Sequence, residues 1–310
     1  MSSKEILKNM LSELINVLSN KGKIYCIGHD QIDVDAFISG LLASKLFNFL
    51  GFDSEFIILQ PVTQNETYTI LKSLTNIEMK DYENTIEDSN RTLFLVDHYE
   101  TSHAGTVIGC IDHHPTLKNN TYPFSYSRPA TASAYMIYEL MQAANYPLTA
   151  EEAKYIVLAM LVDTVGFKSS KTNIEEVKIA KELSTQHGLN YELLEKSSFC
   201  LTPINTMTPK EIVSNGLKKY NFNGHKVWAS YIQIYGIPSE QIIRRWLKYI
   251  EISIISSTIE MFVFIVFDLQ GNKTYEYTIC KNYYQHIIYN GILSRGKDIM
   301  PRVERYFSKF

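Results

Sequence analysis

Residues 23–36 read KIYCIGHDQIDVDA, and this stretch decides the fold of the N-terminal half of the chain. Residues 23–27 form a short apolar run of strand length. A polar turn follows, and leucines at helical spacing then predict a helix over 35–50 that Gly51 ends. A buried strand that passes through a turn into a helix is the first unit of an α/β fold.

The same alternation continues along the chain. The residue pattern predicts further strands at 55–59, 92–96 and 106–111, and helices at 3–20, 131–145, 150–162 and 174–186, the last ended by Gly188. Strands that alternate with helices predict a parallel sheet with helices on both faces. We therefore expect an α/β fold over 1–200.

A smaller mixed α/β domain is predicted at 209–310, after a linker at 201–208 that is rich in threonine and proline. It should contain a short helix near 209–216, a strand near 227–234 and a helix at 239–250. Strands at 260–268 and 273–280 should face each other across a turn at 270–272.

Composition limits the class of protein. The chain has 310 residues, 45% of them hydrophobic, and a net charge of -3, so it is not biased towards nucleic acid or acidic membranes. No run approaches ~18 apolar residues, and no basic stripe is interleaved with aromatics. Four dispersed cysteines predict buried free thiols. We expect a cytoplasmic protein without a membrane or nucleic-acid partner.

Acidic and histidine side chains follow several of the predicted elements. They occur at 28–36, 96–98 and 111–114, and at 163, where an apolar helix ends in an unfavourable acid. Ligands bind at the carboxyl ends of strands in open α/β sheets. Single aspartates there can also be helix caps or turn residues. As a group, four aspartates and two histidines without a thiolate suit manganese and are enough for two ions.

These motifs resemble those of the DHH phosphoesterase superfamily, and most closely those of manganese-dependent family II inorganic pyrophosphatases with DHH and DHHA2 domains. The resemblance runs nearly end to end. The residues that match the family's five motifs are His29, Asp33, Asp35 and Ala36; Val96, Asp97, His98 and Glu100; Asp112, His113 and His114; Asp163, Thr164, Phe167, Lys168, Ser169 and Thr172; and Ser294, Arg295 and Lys297.

The resemblance implies hydrolysis of inorganic pyrophosphate to two phosphates by a water that two metals activate. The ions would be two Mn²⁺, with Co²⁺ or Mg²⁺ as alternatives, and Mg²⁺ would accompany the substrate. The implied metal ligands are His29, Asp33, Asp35, Asp97, His113 and Asp163, with Asp97 and Asp163 touching both ions. The implied catalytic residues are His114, His98 and Asp112, and the implied substrate contacts are His114, Arg295 and Lys297.

Departures from the family pattern spare every metal ligand and fall near the substrate. Ile32 stands where the family has proline, Pro115 where a basic residue is usual, and Gly296 where it has a lysine. Residues 128–133, Arg-Pro-Ala-Thr-Ala-Ser, lack a glycine of the family motif. The nearest candidate for the family's interdomain lysine is Lys196.

Two alternatives therefore stay open. One is a DHH phosphoesterase for short polyphosphates or a nucleotide, and the other is a catalytically weak metal-dependent sensor or scaffold. The expected partner is a small phosphoanhydride. Because the family's smaller members are often dimers, the resemblance also allows a homodimer.

Overall fold

The structure is a computed structural model that describes residues 3–60, 66–83, 90–114, 122–169, 172–200, 204 and 207–308. The chain divides into two compact units. The N-terminal unit comprises Met1–Phe167 and Lys171–Ser198, and the C-terminal unit comprises Lys168–Ser170 and Phe199–Phe310. Most of the predicted linker lies outside the described residues, as does Pro115.

The N-terminal unit alternates strands and helices. Its elements are α1 (Ser3–Leu18), β1 (Ile24–Ile27), α2 (Val34–Phe49), β2 (Ser54–Ile57), α3 (Glu66–Leu74), a 3-10 helix (Met79–Tyr82), β3 (Thr92–Val96), β4 (Thr106–Asp112), β5 (Phe124–Ser127), α4 (Ser133–Ala143), α5 (Ala150–Asp163), α6 (Ile174–Gln186) and α7 (Tyr191–Cys200).

The five strands of this unit form one sheet in the order β2-β1-β3-β4-β5, and every pair is parallel. The predicted parallel sheet is thus confirmed. The chain moves from β1 outward to β2 and then returns to the other side of β1 as β3. The strand order therefore reverses between β1 and β3, which is the point where open α/β sheets bind ligands.

Helix α2 fills the centre of the N-terminal unit. It contacts β1, β2 and β3 as well as α4 and α5, and most of its side chains are buried. Gly40 permits this close packing, because a Cβ there would lie 2.3 Å from the ring of Phe56. Asp33 caps the first turn, and Gly51, with φ of 91°, follows the last residue as predicted.

The C-terminal unit is a mixed sheet with one long helix packed on it. Its elements are α8 (Pro209–Ser214), β6 (Lys218–Phe222), β7 (His225–Ile234), α9 (Glu240–Ile255), β8 (Met261–Asp268), β9 (Lys273–Cys280), β10 (Tyr283–Asn290), a π-helix (Arg295–Ile299) and α10 (Met300–Phe307). The strand order is β10-β9-β8-β7-β6, with only β7 and β8 parallel. Its core joins Trp246 and Ile250 of α9 to Phe264 of β8.

The structure also bears on the predicted burial of the cysteines and on membrane-spanning helices. The cysteines are free, but only Cys26 and Cys110 are buried; Cys200 is exposed and Cys280 is half-buried. The prediction that all four are buried is therefore wrong. Among the residues that the structure describes, no helix has both the length and the apolar character needed to cross a bilayer.

Candidate metal centre

The six predicted metal ligands meet at the carboxyl edge of the parallel sheet. His29 follows β1, Asp97 follows β3 and His113 follows β4, while Asp33 and Asp35 begin α2. These are the ends of the central strands on either side of the point where the strand order reverses. Asp163 joins them from the last residue of α5, as the sequence predicts.

Asp97 lies between two groups of side chains. Its Oδ2 is 3.6 Å from Nε2 of His29, which is also 3.5 Å from Oδ2 of Asp33. Its Oδ1 is 3.3 Å from Nε2 of His113. Each oxygen of one carboxylate therefore faces a different group. Asp97 itself adopts the left-handed region, with φ of 62°, which is uncommon for a residue other than glycine and is often found at functional sites.

The second group gathers around His113. Its Nε2 lies 3.8 Å from Oδ2 of Asp35 and 3.7 Å from Oδ2 of Asp163, in addition to the contact with Asp97. Asp35 is 2% exposed, and its two oxygens accept hydrogen bonds from the backbone N–H groups of Ser133 at 2.7 Å and Ala134 at 3.0 Å. The first turn of α4 thus fixes the carboxylate of Asp35.

The protein occupies Nδ1 of His113 and leaves Nε2 facing the acidic side chains. Its Nδ1 is 3.0 Å from the carbonyl oxygen of Ala130, and because a carbonyl can only accept, Nδ1 carries the hydrogen. Within the part of the chain that the structure describes, the buried Nε2 atom has no well-aligned hydrogen-bond partner, although carboxylate oxygens lie 3.3 to 3.8 Å away. A buried polar atom in this condition needs an explanation, and a bound cation supplies one.

The distances also fit a metal ion. Two ligand atoms at right angles, each about 2.1 Å from an ion, lie about 3 Å apart. The separations of 3.3 to 3.8 Å around His113 and of 3.5 and 3.6 Å around His29 are close to this value. The donor set of imidazole nitrogens and carboxylate oxygens suits a borderline-hard divalent ion.

The pKa shifts of the clustered side chains also favour a bound cation. Burial alone would lower the pKa of His113, but the surrounding carboxylates outweigh it and raise that pKa to about 10. His29 behaves alike, because Asp33 and Asp97 overcome its burial and raise its pKa to about 10. Burial and the nearby charge of Asp97 raise the pKa of Asp35. Acidic side chains packed this closely need positive charge beside them. A divalent ion would supply that charge without protonation of the histidines or the carboxylates.

Asp163 is placed by an unusual turn. Val165, Gly166 and Phe167 all have positive φ, of 56°, 65° and 57°. A β-branched residue such as Val165 is rare in this region. The buried hydroxyl of Thr164 accepts a hydrogen bond from the N–H of Phe167 at 3.0 Å, which stabilises the turn. Strain of this kind, directly after a ligand, is typical of functional sites.

His114, Asp112 and His98 surround the cluster. Asp112 Oδ1 accepts hydrogen bonds from Nδ1 and from the backbone N–H of His114, at 2.9 and 3.1 Å. Nδ1 of His114 is also 3.6 Å from Asp97, but since it already donates to Asp112, it is not free to bind a metal. The side chain of His114 is 42% exposed, which leaves its Nε2 for a substrate. His98 Nδ1 donates to the carbonyl of Val96, and burial lowers the pKa of His98.

Arg295 and Lys297 belong to the C-terminal unit. The guanidinium of Arg295 donates to the carbonyl of Gly216 and lies over the ring of Tyr231, with its central carbon 5.0 Å from the ring centroid. The hydroxyl of Ser294 accepts from the N–H of Lys297 and caps this turn. These are contacts within one unit. Lys196, the nearest candidate for an interdomain lysine, is exposed on α7.

Two side-chain contacts near the candidate metal centre were not predicted from the sequence. The hydroxyl of Ser133 donates to Oδ1 of Asp97 at 2.9 Å, in addition to the backbone bond to Asp35. His103 Nε2 is 2.6 Å from Oδ1 of Asp30 and ties together the loops after β1 and β3. A serine at the start of an apolar helix is a signal that could have found Ser133. Nothing local in the sequence pairs His103 with Asp30.

The fold and the cluster define a two-unit α/β protein with a metal centre at its parallel sheet. Residues 23–160 match the DHH family, N-terminal domain, so the resemblance to DHH proteins is confirmed. Over nearly the whole chain the protein is similar to manganese-dependent inorganic pyrophosphatases. That of Methanocaldococcus jannaschii is 24% identical over 92% of this chain and 99% of its own, and that of Methanothrix thermoacetophila is 24% identical with the same coverage.

Solved structures show the same fold. A Methanococcus jannaschii structure assigned to the family II inorganic pyrophosphatases has a TM-score of 0.59 at 22% identity, covering 92% of this chain and 99% of its own. An exopolyphosphatase-related protein from Bacteroides fragilis has a TM-score of 0.54 at 14% identity, with 97% of both chains covered. The α/β architecture predicted from the sequence is thus also found in these solved structures.

Proposed function

We propose that this protein hydrolyses inorganic pyrophosphate with two divalent ions, preferably Mn²⁺. The observation that carries the proposal is the carboxylate of Asp97, whose two oxygens face His29 on one side and His113 on the other. A single shared carboxylate between two sets of ligands is what a pair of ions about 3.5–4 Å apart requires. The similarity to manganese-dependent pyrophosphatases supports the same activity.

In this proposal one ion is held by His29 and Asp33 and the other by Asp35 and His113, while Asp97 and, as the resemblance implies, Asp163 touch both ions. When bound, the two ions lower the pKa of a shared water and neutralise charge on the phosphates. The protein then needs to orient the substrate. His114 faces it with Nε2, since Asp112 holds Nδ1 of that ring. Arg295 and Lys297 supply positive charge for the phosphates.

A second substrate class is favoured by Gly296. Glycine stands here in place of a lysine of the related motif, and a Cβ built there meets no atom of the described residues within 4 Å. Its φ is not in the left-handed region, so the backbone does not require glycine. The space left by the missing side chain suits a longer phosphate chain, and the alternative activity is therefore hydrolysis of short polyphosphates.

The test is phosphate release from pyrophosphate, tripolyphosphate and a dinucleotide, measured in parallel with metal-stripped protein before and after Mn²⁺ is added. We expect release from pyrophosphate alone, and only with the metal. Faster release from tripolyphosphate or the dinucleotide would replace pyrophosphate as the substrate. No release from any of the three would reject hydrolysis and leave a metal-dependent sensor or scaffold.

A further inference from the structure

One short segment supports three of the six predicted metal ligands. We call residues 128–134 the support segment. Its Ala130 carbonyl accepts from Nδ1 of His113, its Ser133 and Ala134 N–H groups donate to Asp35, and its Ser133 hydroxyl donates to Asp97. Three of the six predicted ligands are therefore oriented by seven consecutive residues. Any displacement of the segment moves these three together.

The support segment is itself held from α6 by Glu176. This side chain is buried, at 3% exposure, and its Oε2 accepts a hydrogen bond of 2.7 Å from the backbone N–H of Thr131. Thr131 is fully buried and lies midway between Ala130 and Ser133. A buried N–H without an acceptor is costly, so the carboxylate of Glu176 fixes the middle of the segment.

The same carboxylate holds the beginning of the segment. Oε1 of Glu176 lies 3.2 Å from Nη1 of Arg128. The guanidinium also contacts Oε2 of Glu139 on α4 at 2.6 Å, and its Nε donates to the hydroxyl of Tyr126 at 3.1 Å. Arg128 thereby links the end of β5 to α4 and α6. Charge-assisted, multiply bonded contacts of this kind are strong and geometrically specific.

We propose that Glu176 is a positioning residue for the metal centre, which it serves through Thr131 and Arg128 without touching an ion. The inference rests on the proposed function, because it assumes that Asp35, Asp97 and His113 bind metal. Ligands must be held to within about 0.5 Å of their working geometry. Loss of the outer partners that orient them typically costs about 10- to 100-fold in metal affinity.

The experiment measures Mn²⁺ affinity directly, by equilibrium dialysis of the full-length protein without substrate. In Glu176→Ala we expect affinity for at least one ion to fall about 10- to 100-fold. Glu176→Gln keeps an oxygen that can accept from Thr131, and we expect it to recover affinity to within about threefold of the wild type, since the neutral amide still satisfies that N–H.

A matched control is Glu152→Ala. Glu152 is equally buried, at 3% exposure, pairs with Lys45 at 2.7 Å and caps α5 through Thr149. It makes no contact with the support segment among the described residues. We expect both Glu152→Ala and Glu176→Ala to melt at a lower temperature than the wild type. The Mn²⁺ affinity of Glu152→Ala should nevertheless stay within about twofold of the wild type, as expected for independent sites.

The outcomes separate the two proposals. Wild-type protein that binds no Mn²⁺ would end the proposed function and the inference with it. If the wild type binds Mn²⁺ and Glu176→Ala binds equally well, or if Glu152→Ala loses as much affinity, only the positioning role is refuted. Should Glu176→Ala fail to fold, Glu176→Asp takes its place, because the shorter side chain withdraws the carboxylate from Thr131. Unchanged affinity in Glu176→Asp would then overturn the inference.

Discussion

Replacement of Asp97 by asparagine is the most direct test of the shared-ligand arrangement. The two carboxylate oxygens of Asp97 lie 3.3 Å from Nε2 of His113 and 3.6 Å from Nε2 of His29. Asparagine has the same shape but only one oxygen, and its NH₂ group cannot bind a cation. The variant can therefore complete one ligand group and not both. We expect it to retain at most one tightly bound ion.

The size of the effect follows from what is lost. Removing a group that merely orients a ligand costs about 10- to 100-fold in metal affinity, so removing the shared ligand should cost at least about 100-fold for the weaker ion. Loss of one stabilising contact to developing charge costs about 10²–10³ in kcat. We therefore expect kcat to fall about 1000-fold, which corresponds to about 4 kcal/mol of activation free energy.

The assay combines phosphate release from pyrophosphate with Mn²⁺ dialysis and far-ultraviolet circular dichroism. A control is Asp30→Asn, in the loop after β1, because Asp30 pairs with His103 at 2.6 Å and belongs to neither group of candidate ligands. We expect that control to keep kcat within about threefold of the wild type, as expected for an exposed ion pair. Two bound ions, or near-normal turnover, in a folded Asp97→Asn protein would refute the shared-ligand reasoning.

Three other predictions concern residues around the centre. Asp163→Asn should lower kcat at least about 100-fold with an unchanged circular dichroism spectrum, because the variant loses an anionic side chain 3.7 Å from His113. Normal turnover in this variant would show that Asp163 does not belong to the site. Arg295→Ala should raise KM for pyrophosphate about tenfold and leave the Mn²⁺ content unchanged, as measured by steady-state kinetics and metal analysis; an unchanged KM and kcat would mean that Arg295 does not contact the phosphates. Gly296→Lys meets no steric obstacle and should lower KM for pyrophosphate several-fold more than KM for tripolyphosphate, and equal effects on both would argue against a role for this position in substrate choice.

The strongly periodic elements of the fold could be predicted from the sequence. Strand β3 and helix α6 have the predicted bounds, and α5 ends at the acid where the sequence placed its end. The elements that the sequence did not predict are α3, β5, α7, β6, β10 and α10. Strand β10 reads YYQHIIYN, which has no clear apolar alternation, because it is the outer strand of its sheet and most of its side chains are exposed.

Helix α9 shows the same limit in another way. It runs to Ile255, five residues beyond the predicted end, through a stretch that contains Ser253. The hydroxyl of Ser253 bonds back to the carbonyl of Tyr249, so the polar residue does not end the helix. Burial of Ile254 in the core of the C-terminal unit favours the additional turn. Such packing is not visible in a local pattern.

At the candidate site, the sequence indicated side chains that the structure brings together, but it did not indicate the contacts that hold them in place. Aspartates and histidines at strand ends can be recognised from spacing because the carboxyl ends of parallel strands share one edge. The hydrogen bonds that Ser133 donates to Asp35 and Thr131 donates to Glu176 join residues 98 and 45 positions apart. Contacts at that distance depend on how α4 and α6 pack, so no local motif predicts them.

The departure at Gly296 can be contrasted with the constraints on two of the predicted metal ligands. Asp35 accepts two backbone hydrogen bonds and is 2% exposed, so an apolar side chain there would leave two buried N–H groups unpaired. His113 is equally constrained by its bond to Ala130. Gly296, in contrast, has no atom within 4 Å of where a side chain would begin. Substitution at this open position costs little folding free energy, so substrate preference can change there while the buried metal centre is kept.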